Sequence, residues 1–162
     1  ANGRWTQQHL NTMFWRRTPP LLVYPPCDTE QLQKLPLDRR LKQLYLVSVA
    51  QFRPEKNHRL QLEAFAEAKA RAGDRSVPNS EVISTARLKM VGSCRNDDDR
   101  ARLAQLQQYA FALGISDSVD WCVNVSFQEL QALLGEAVGG LHTMRDEHFG
   151  ISVVEYMAAG AV

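Results

Sequence analysis

Cysteine is scarce. Cys27, Cys94 and Cys122 form an odd, widely spaced set, too few for a disulfide framework and without the Cys-x-x-Cys spacing of a zinc site. They read as reduced, buried thiols in a cytosolic setting. No run of 18 apolar residues occurs, which excludes a simple membrane-spanning helix, and no signal-peptide pattern opens the chain. Charge of one sign is also missing: 19 Lys and Arg face 18 Asp and Glu, a formal net charge of +1. A nucleic-acid binder needs a net basic surface or a concentrated basic stripe; here the pairs Arg16-Arg17 and Arg39-Arg40 read as solvated surface. There is no Gly-x4-Gly-Lys-Ser/Thr phosphate loop, no credible Ser or Cys triad, and no repeat or low-complexity tract. His142 and His148 are poorly spaced for zinc and suit hydrogen-bonding roles better. An initiator Met is absent, and both ends, Ala1-Asn2-Gly3 and Gly160-Ala161-Val162, read as cut from a longer chain.

What is present is a globular composition, 44% hydrophobic and 23% charged, with room for a core at this length. Residues 5–15 carry apolar side chains at helical spacing and are broken by Pro19-Pro20; LLVY, 21–24, reads as a short strand, and 27–40 as a polar connection. Trp5, Trp15 and Trp121 read as packing residues. Two kinds of element then alternate. Continuous apolar runs at 43–50, 86–93, 119–123 and 137–143 suit strands buried on both faces. Helical stripes cover 58–72, the stretch from Asn96 to Gly114, the stretch from Ser126 to about Leu134, and 151–159. Residues 74–85 read as a surface loop. Asn96 with Asp97, Asp98 and Asp99, and Ser126 with Glu129, have the composition of helix caps. The order predicts an α/β protein: a Rossmann-like parallel sheet with flanking helices. Ligands on such sheets bind beyond the carboxyl ends of the strands.

Two loops fall at that edge. QFRPEKNH, 51–58, offers Arg53 and Lys56 to a pyrophosphate; a solvent-exposed charged turn is the plainer reading. HTMRDEHFG, 142–150, leads into a helix whose first amides, near Gly150, Ile151 and Ser152, suit an anion. Glu147 suits sugar hydroxyls, and Glu155, among Ile151, Val153, Val154 and Met157, suits a ribose diol that satisfies both oxygens. The alternative is that Glu147 caps or solvates its loop and Glu155 faces water. Without a ligand, Glu155 is expected to find water or a backbone N–H.

EHFGISVVEYMAAG resembles the E-x7-E signature of the GT-B retaining glycosyltransferases, and VSVAQFRPEKNHRLQLEAFA is similar to the opening of their donor-binding domain. With LKMVGSCRNDDDRARL and LHTMRDEHFGISVVEYMAAG, the chain resembles the GDP-mannose-dependent α-1,2-mannosyltransferases that extend dolichol-linked oligosaccharide for asparagine-linked glycosylation. The resemblance implies the C-terminal half of a GT-B fold, incomplete at both ends: 1–20 as a remnant of an N-terminal domain or crossover, and 21–162 as the nucleotide-sugar domain. It implies Lys56 as the pyrophosphate lysine, Glu147 beside the donor sugar, Phe149, Gly150 and Ile151 facing sugar and phosphate, Glu155 on the ribose, and Val123, Asn124 and Val125 lining the base. Gln51 stands where the wider family commonly has Arg, and Arg53 is a substitute in a different register. Transfer with retention is implied, with neither metal nor covalent enzyme nucleophile. The fragment is expected to be soluble and inactive alone; its parent is expected at the cytosolic face of the endoplasmic reticulum membrane, held by segments upstream, with the acceptor on the missing domain. A non-catalytic nucleotide or nucleotide-sugar binding module is the alternative.

Overall fold

The computed structural model describes residues 1–15, 17–37, 44–74, 76 and 78–162. Arg16, the Arg39-Arg40 pair and the first residue of the 43–50 strand prediction lie outside them. The elements are α1 (Arg4–Phe14), β1 (Tyr45–Val49), α2 (His58–Arg71), α3 (Ser80–Thr85), β2 (Arg87–Gly92), α4 (Asp97–Ala112), β3 (Val119–Val123), α5 (Phe127–Glu136), β4 (Gly139–Gly140) and α6 (Ile151–Ala158).

The four strands form one sheet in the order β3-β2-β1-β4. Every neighbouring pair is parallel, with Leu46 opposite Leu88 and Ser48 opposite Met90. Parallel strands covered on both faces need apolar side chains in both directions, and the burial shows this. On one face, Leu88 and Met90 meet Leu62 and Phe65 of α2 and Leu106 and Ala110 of α4. On the other, Val47 and Val91 meet Leu134 of α5, Tyr156 of α6 and Ala159, which caps α6.

The caps form where the sequence places them. Asn96 Oδ1 accepts from the Asp99 amide at 2.9 Å. Ser126 and Glu129 make a reciprocal capping box, with the Ser126 amide donating to Glu129 at 2.7 Å and the Glu129 amide to Ser126 at 3.2 Å.

Several expectations are corrected. LLVY is not a strand: Leu21 and Val23 are exposed, and the Val23 amide bonds back to Ala1. Prolines on both sides remove the donors a ladder would need. The expected loop at 74–85 contains α3, tied down by Lys69 Nζ, which donates to the carbonyls of Ser84 and, at 3.2 Å, Ala86. The polar connection at 27–40 carries a 3-10 turn, Leu32–Lys34, that drives Leu32 into the core. Trp15 is 92% exposed rather than a packing residue; Trp121 lies on the core edge near Phe52. Of the cysteines, all free, only Cys94 is buried. Met157 is exposed, as is Ile151, so α6 is buried along one face only.

The last strand is two residues long, not seven. Its glycines admit a neighbour: a Cβ at Gly140 would stand 2.2 Å from Tyr156 Cδ2. The Tyr156 hydroxyl accepts from the Val49 amide at 2.7 Å and lies 3.4 Å from the Leu141 carbonyl, to which it donates. One buried ring therefore fastens α6 across the carboxyl ends of β1 and β4. Burial pushes its phenol up to about 12.

Candidate functional site at the strand carboxyl ends

The turn after β1 runs through a short 3-10 segment, Pro54–Lys56, and Asn57 adopts a left-handed conformation (φ 51°) before α2 begins. Asn tolerates that region better than most residues. This reversal points Lys56 at the loop between β4 and α6. Thr143 closes the joint. Its hydroxyl donates to the Lys56 carbonyl at 2.7 Å and receives Gln61 Nε2 at 2.9 Å. Gln61 is almost fully buried on α2, so the two loops are held together from beneath.

Above that joint, Lys56 Nζ stands 3.3 Å from Glu147 Oε2 and 3.0 Å from Met144 Sδ. Glu147 Oε1 accepts the His148 amide at 2.9 Å and the Phe149 amide at 3.5 Å. His142 Nε2 lies 3.2 Å from the same Oε2. It is shielded from solvent and not aligned for a hydrogen bond. Burial pushes the Glu147 carboxyl up, but Lys56 and the two backbone amides outweigh it and leave it below its ordinary value.

Gly150 caps α6 with φ 86°, a conformation that strains a residue with a Cβ. The Ile151 and Ser152 amides of the first turn have no carbonyl a turn earlier to bond. A cleft of about 490 Å³ opens beside them. Gln51, Lys56, Asn124, Val125, Ile151 and Glu155 are among its walls.

Glu155 is half-buried, and burial raises its carboxyl above the ordinary value. Among the described residues no hydrogen-bond donor or cation meets it, so of the two partners expected, water or a backbone N–H, the backbone N–H is not supplied. A carboxylate held partly out of water without a partner is costly, and this one shares its cleft with a cation and a helix amino end.

The remaining predicted residues are placed less centrally. Arg53 does not line the cleft; its guanidinium stands 3.8 Å from Glu55. Phe149 packs its ring near Tyr24, centroids 5.4 Å apart. Val123 belongs to the edge of the core. Asn124 is left-handed (φ 55°), and its Oδ1 accepts the Cys94 amide at 2.9 Å, joining the β2–α4 and β3–α5 turns. The α1 helix reaches the loop as well: Thr6 Oγ1 is 2.7 Å from His148 Nδ1, and Trp5 meets the same ring edge-on. Sequence reasoning missed His142 as a neighbour of Glu147, and missed Thr143, Gln61 and Met144 altogether. The only advance signal was that a His and a Thr sit at the carboxyl end of an expected strand.

The family model for the glycosyl transferases group 1 matches residues 30–162. The chain is 42% identical over its whole length to the mouse protein named GDP-Man:Man(3)GlcNAc(2)-PP-Dol alpha-1,2-mannosyltransferase, and 40% identical to the protein of the same name from Caenorhabditis elegans, spanning 32% and 34% of their lengths. It thus covers about a third of the relatives it matches. Among solved structures, Anabaena Alr3699/HepE in complex with UDP and glucose is similar with a TM-score of 0.71 and 17% identity, over 99% of this chain and 42% of that one. The pneumococcal O-GlcNAc transferase GtfA in complex with UDP and GlcNAc is similar with a TM-score of 0.63 and 15% identity, over 96% of this chain and 27% of that one. These two likenesses concern the fold.

Proposed function

This chain belongs to the glycosyl transferases group 1 family, and from that premise we propose that it is the donor half of a GDP-mannose-dependent enzyme. The reaction is transfer of mannose, with an α-1,2 linkage and retention, to a dolichol-pyrophosphate-linked oligosaccharide. The observation that carries the donor assignment is Glu155: half-buried, without a partner among the described residues, and facing a cleft shared with Lys56 and the start of α6. A ribose diol is the neutral double donor that such a carboxylate lacks. The names of the relatives support the choice of GDP-mannose and of the acceptor.

In this reading the diphosphate sits at the amino end of α6, where the free amides and helix dipole favour negative charge. Lys56 neutralises it, and Arg53 serves only by swinging away from Glu55. The mannose lies toward Glu147, whose backbone-anchored carboxylate accepts its hydroxyls. Asn124 and Val125 line the base, with Val123 behind them; Phe149, Gly150 and Ile151 bound the sugar and phosphate.

As the glycosidic bond breaks, negative charge grows on the departing diphosphate. Dipoles and cations fixed before the reaction stabilise that charge without reorganising, the kind of contribution worth about 3–4 kcal/mol per donor in acyl-transfer sites. Acceptor binding and membrane attachment at the cytosolic face of the endoplasmic reticulum belong, in this proposal, to parts of the enzyme outside residues 21–162, with 1–20 bridging toward them. Among the described residues no helix is long and apolar enough to cross a membrane.

Calorimetry with GDP-mannose, GDP, UDP-glucose and ADP-glucose tests the donor assignment. Tightest binding by GDP-mannose, lost in Lys56→Met and Glu155→Ala, is expected. Equal weak binding of all four would remove the mannose-donor reading. Transfer is then assayed with the chain extended to the length of its relatives; selective binding there without transfer would favour a non-catalytic nucleotide-sugar module.

A further inference from the structure

Lys56 has two claims on it. It lines the cleft beside Ile151, Ser152 and Glu155, where the diphosphate is placed, and in the ligand-free structure it is engaged 3.3 Å from Glu147 Oε2. A diphosphate carries more charge than a carboxylate and attracts the ammonium more strongly. Donor binding therefore draws Lys56 toward the cleft. That leaves Glu147 ionised, only 23% exposed, and next to new negative charge, which is costly unless another donor meets it.

We propose that His142 is that donor. It is a positioning residue that takes over Oε2 of Glu147 when the donor's diphosphate recruits Lys56. The inference rests on the donor reading given above.

The geometry suits a handover at one oxygen. Oε1 is fixed by the His148 and Phe149 amides, so the carboxylate stays anchored while Oε2 changes partner. His142 Nε2 waits 3.2 Å from Oε2, shielded and, among the described residues, without an aligned hydrogen bond. A buried ring nitrogen with no bond is unusual in a native protein; once Lys56 releases Oε2, a small swing of that oxygen about the anchored Oε1 gives it one. The backbone does not follow the departing ammonium. Thr143, the next residue, is pinned to the Lys56 carbonyl and to Gln61. Lys56 can thus move its side-chain tip while His142 keeps its place. Glu147 remains ionised and oriented for the sugar at the moment its original cation is spent on the leaving group.

The test uses the full chain with GDP as probe, comparing His142→Leu and His142→Gln by calorimetry and by thermal melting without nucleotide. His142→Leu removes an unbonded buried nitrogen, so its nucleotide-free melting temperature is expected to match or exceed that of the wild type. Its GDP affinity is expected to fall by about tenfold, the loss of one hydrogen bond to a charged group. His142→Gln, which keeps an N–H donor, is expected to recover most of that affinity. An unchanged GDP affinity in His142→Leu would overturn the handover. So would a His142→Leu chain that melts lower without nucleotide and is not rescued by Gln, which marks a static structural residue. Failure of the wild type to bind GDP would instead remove the donor reading itself.

Discussion

Alanine at position 140 is a single-methyl perturbation whose cost can be worked from the contacts. The added Cβ would lie 2.2, 2.4 and 2.6 Å from Tyr156 Cδ2, Cγ and Cε2, against an ordinary carbon separation of about 3.5–4 Å. The ring must retreat by more than 1 Å, roughly the whole of that deficit, inside a core where it is 4% exposed. Overpacking of this kind costs about 1–3 kcal/mol. Retreat also lengthens the 2.7 Å bond from the Val49 amide to the hydroxyl, and a buried amide left unbonded costs about 1–3 kcal/mol more. The two effects share one movement and do not simply add, so about 2–4 kcal/mol is expected. For a domain of this size that corresponds to a fall in melting temperature of roughly 10 °C. Urea denaturation followed by tryptophan fluorescence measures it. Because Tyr156 follows Glu155 on α6, GDP affinity should fall in the same variant. Replacing Tyr156 with Leu in the Gly140→Ala background should recover part of the stability by removing the clash. A Gly140→Ala protein within about 0.5 kcal/mol of wild type, the ordinary range for an innocuous substitution, would refute the account of the close approach.

The other predictions concern titrating and turn-forming residues. His58 is 1% exposed, and burial, with Arg102 and Lys56 nearby, lowers it to about 4 despite a hydrogen bond to the Ala50 backbone. The unfolded chain takes up this proton at higher pH than the folded one. The stability linked to neutral His58 is therefore fully present above about pH 6.5 and lost as pH falls toward about 4, on the order of 3 kcal/mol in all. Denaturant titrations between pH 7 and 4.5 should show that slope, and His58→Gln should flatten it. Glu155→Gln should leave the nucleotide-free fold equal or slightly more stable, by less than about 1 kcal/mol, since it removes a half-buried charge that no described residue pairs. The same change should weaken GDP binding by about tenfold or more. Wild-type GDP binding should weaken as pH falls through the raised Glu155 value, and Glu155→Gln should lose that dependence; calorimetry at several pH values decides both. Asn124→Ala removes the bond to the Cys94 amide and puts a Cβ without a compensating side chain at positive φ, so a loss of about 1–2 kcal/mol is expected, with Asn124→Gly less harmful than Ala by melting temperature.

The sheet and most of its helices were legible because buried parallel strands and capped helices leave strong local patterns: β2 and β3 lie where apolar runs predict them, and the Ser126–Glu129 cap forms as spaced. What the sequence concealed depends on partners distant in the chain. The LLVY run has strand composition but no neighbouring strand among the described residues, and exposure of Leu21 and Val23 follows. The short α3 owes its fixed carboxyl end to Lys69, a contact no local pattern announces. At the site, Lys56 and Glu155 could be singled out because the charge types suit a nucleotide-sugar and the motif was recognisable, and both line the cleft. The joint beneath them escaped notice: Gln61 and Thr143 are 82 positions apart and look like ordinary polar residues until the fold brings them to 2.9 Å.

Because all four strands run the same way, the connections divide into two populations with different freedom to change. Those leaving strand carboxyl ends form the cleft and are tied to one another by side chains such as Thr143 and Asn124. Those entering at the amino ends, Leu113–Ser118 before β3 among them, lie at the far edge of the sheet from the cleft. Length changes, affinity tags or a reporter inserted in the second population should cost only a modest closure entropy, because that cost grows slowly with loop length. A single residue added to the first would shift the phase between Lys56 and the final helix. The direction of the strands thus marks which rim of the molecule is open to engineering.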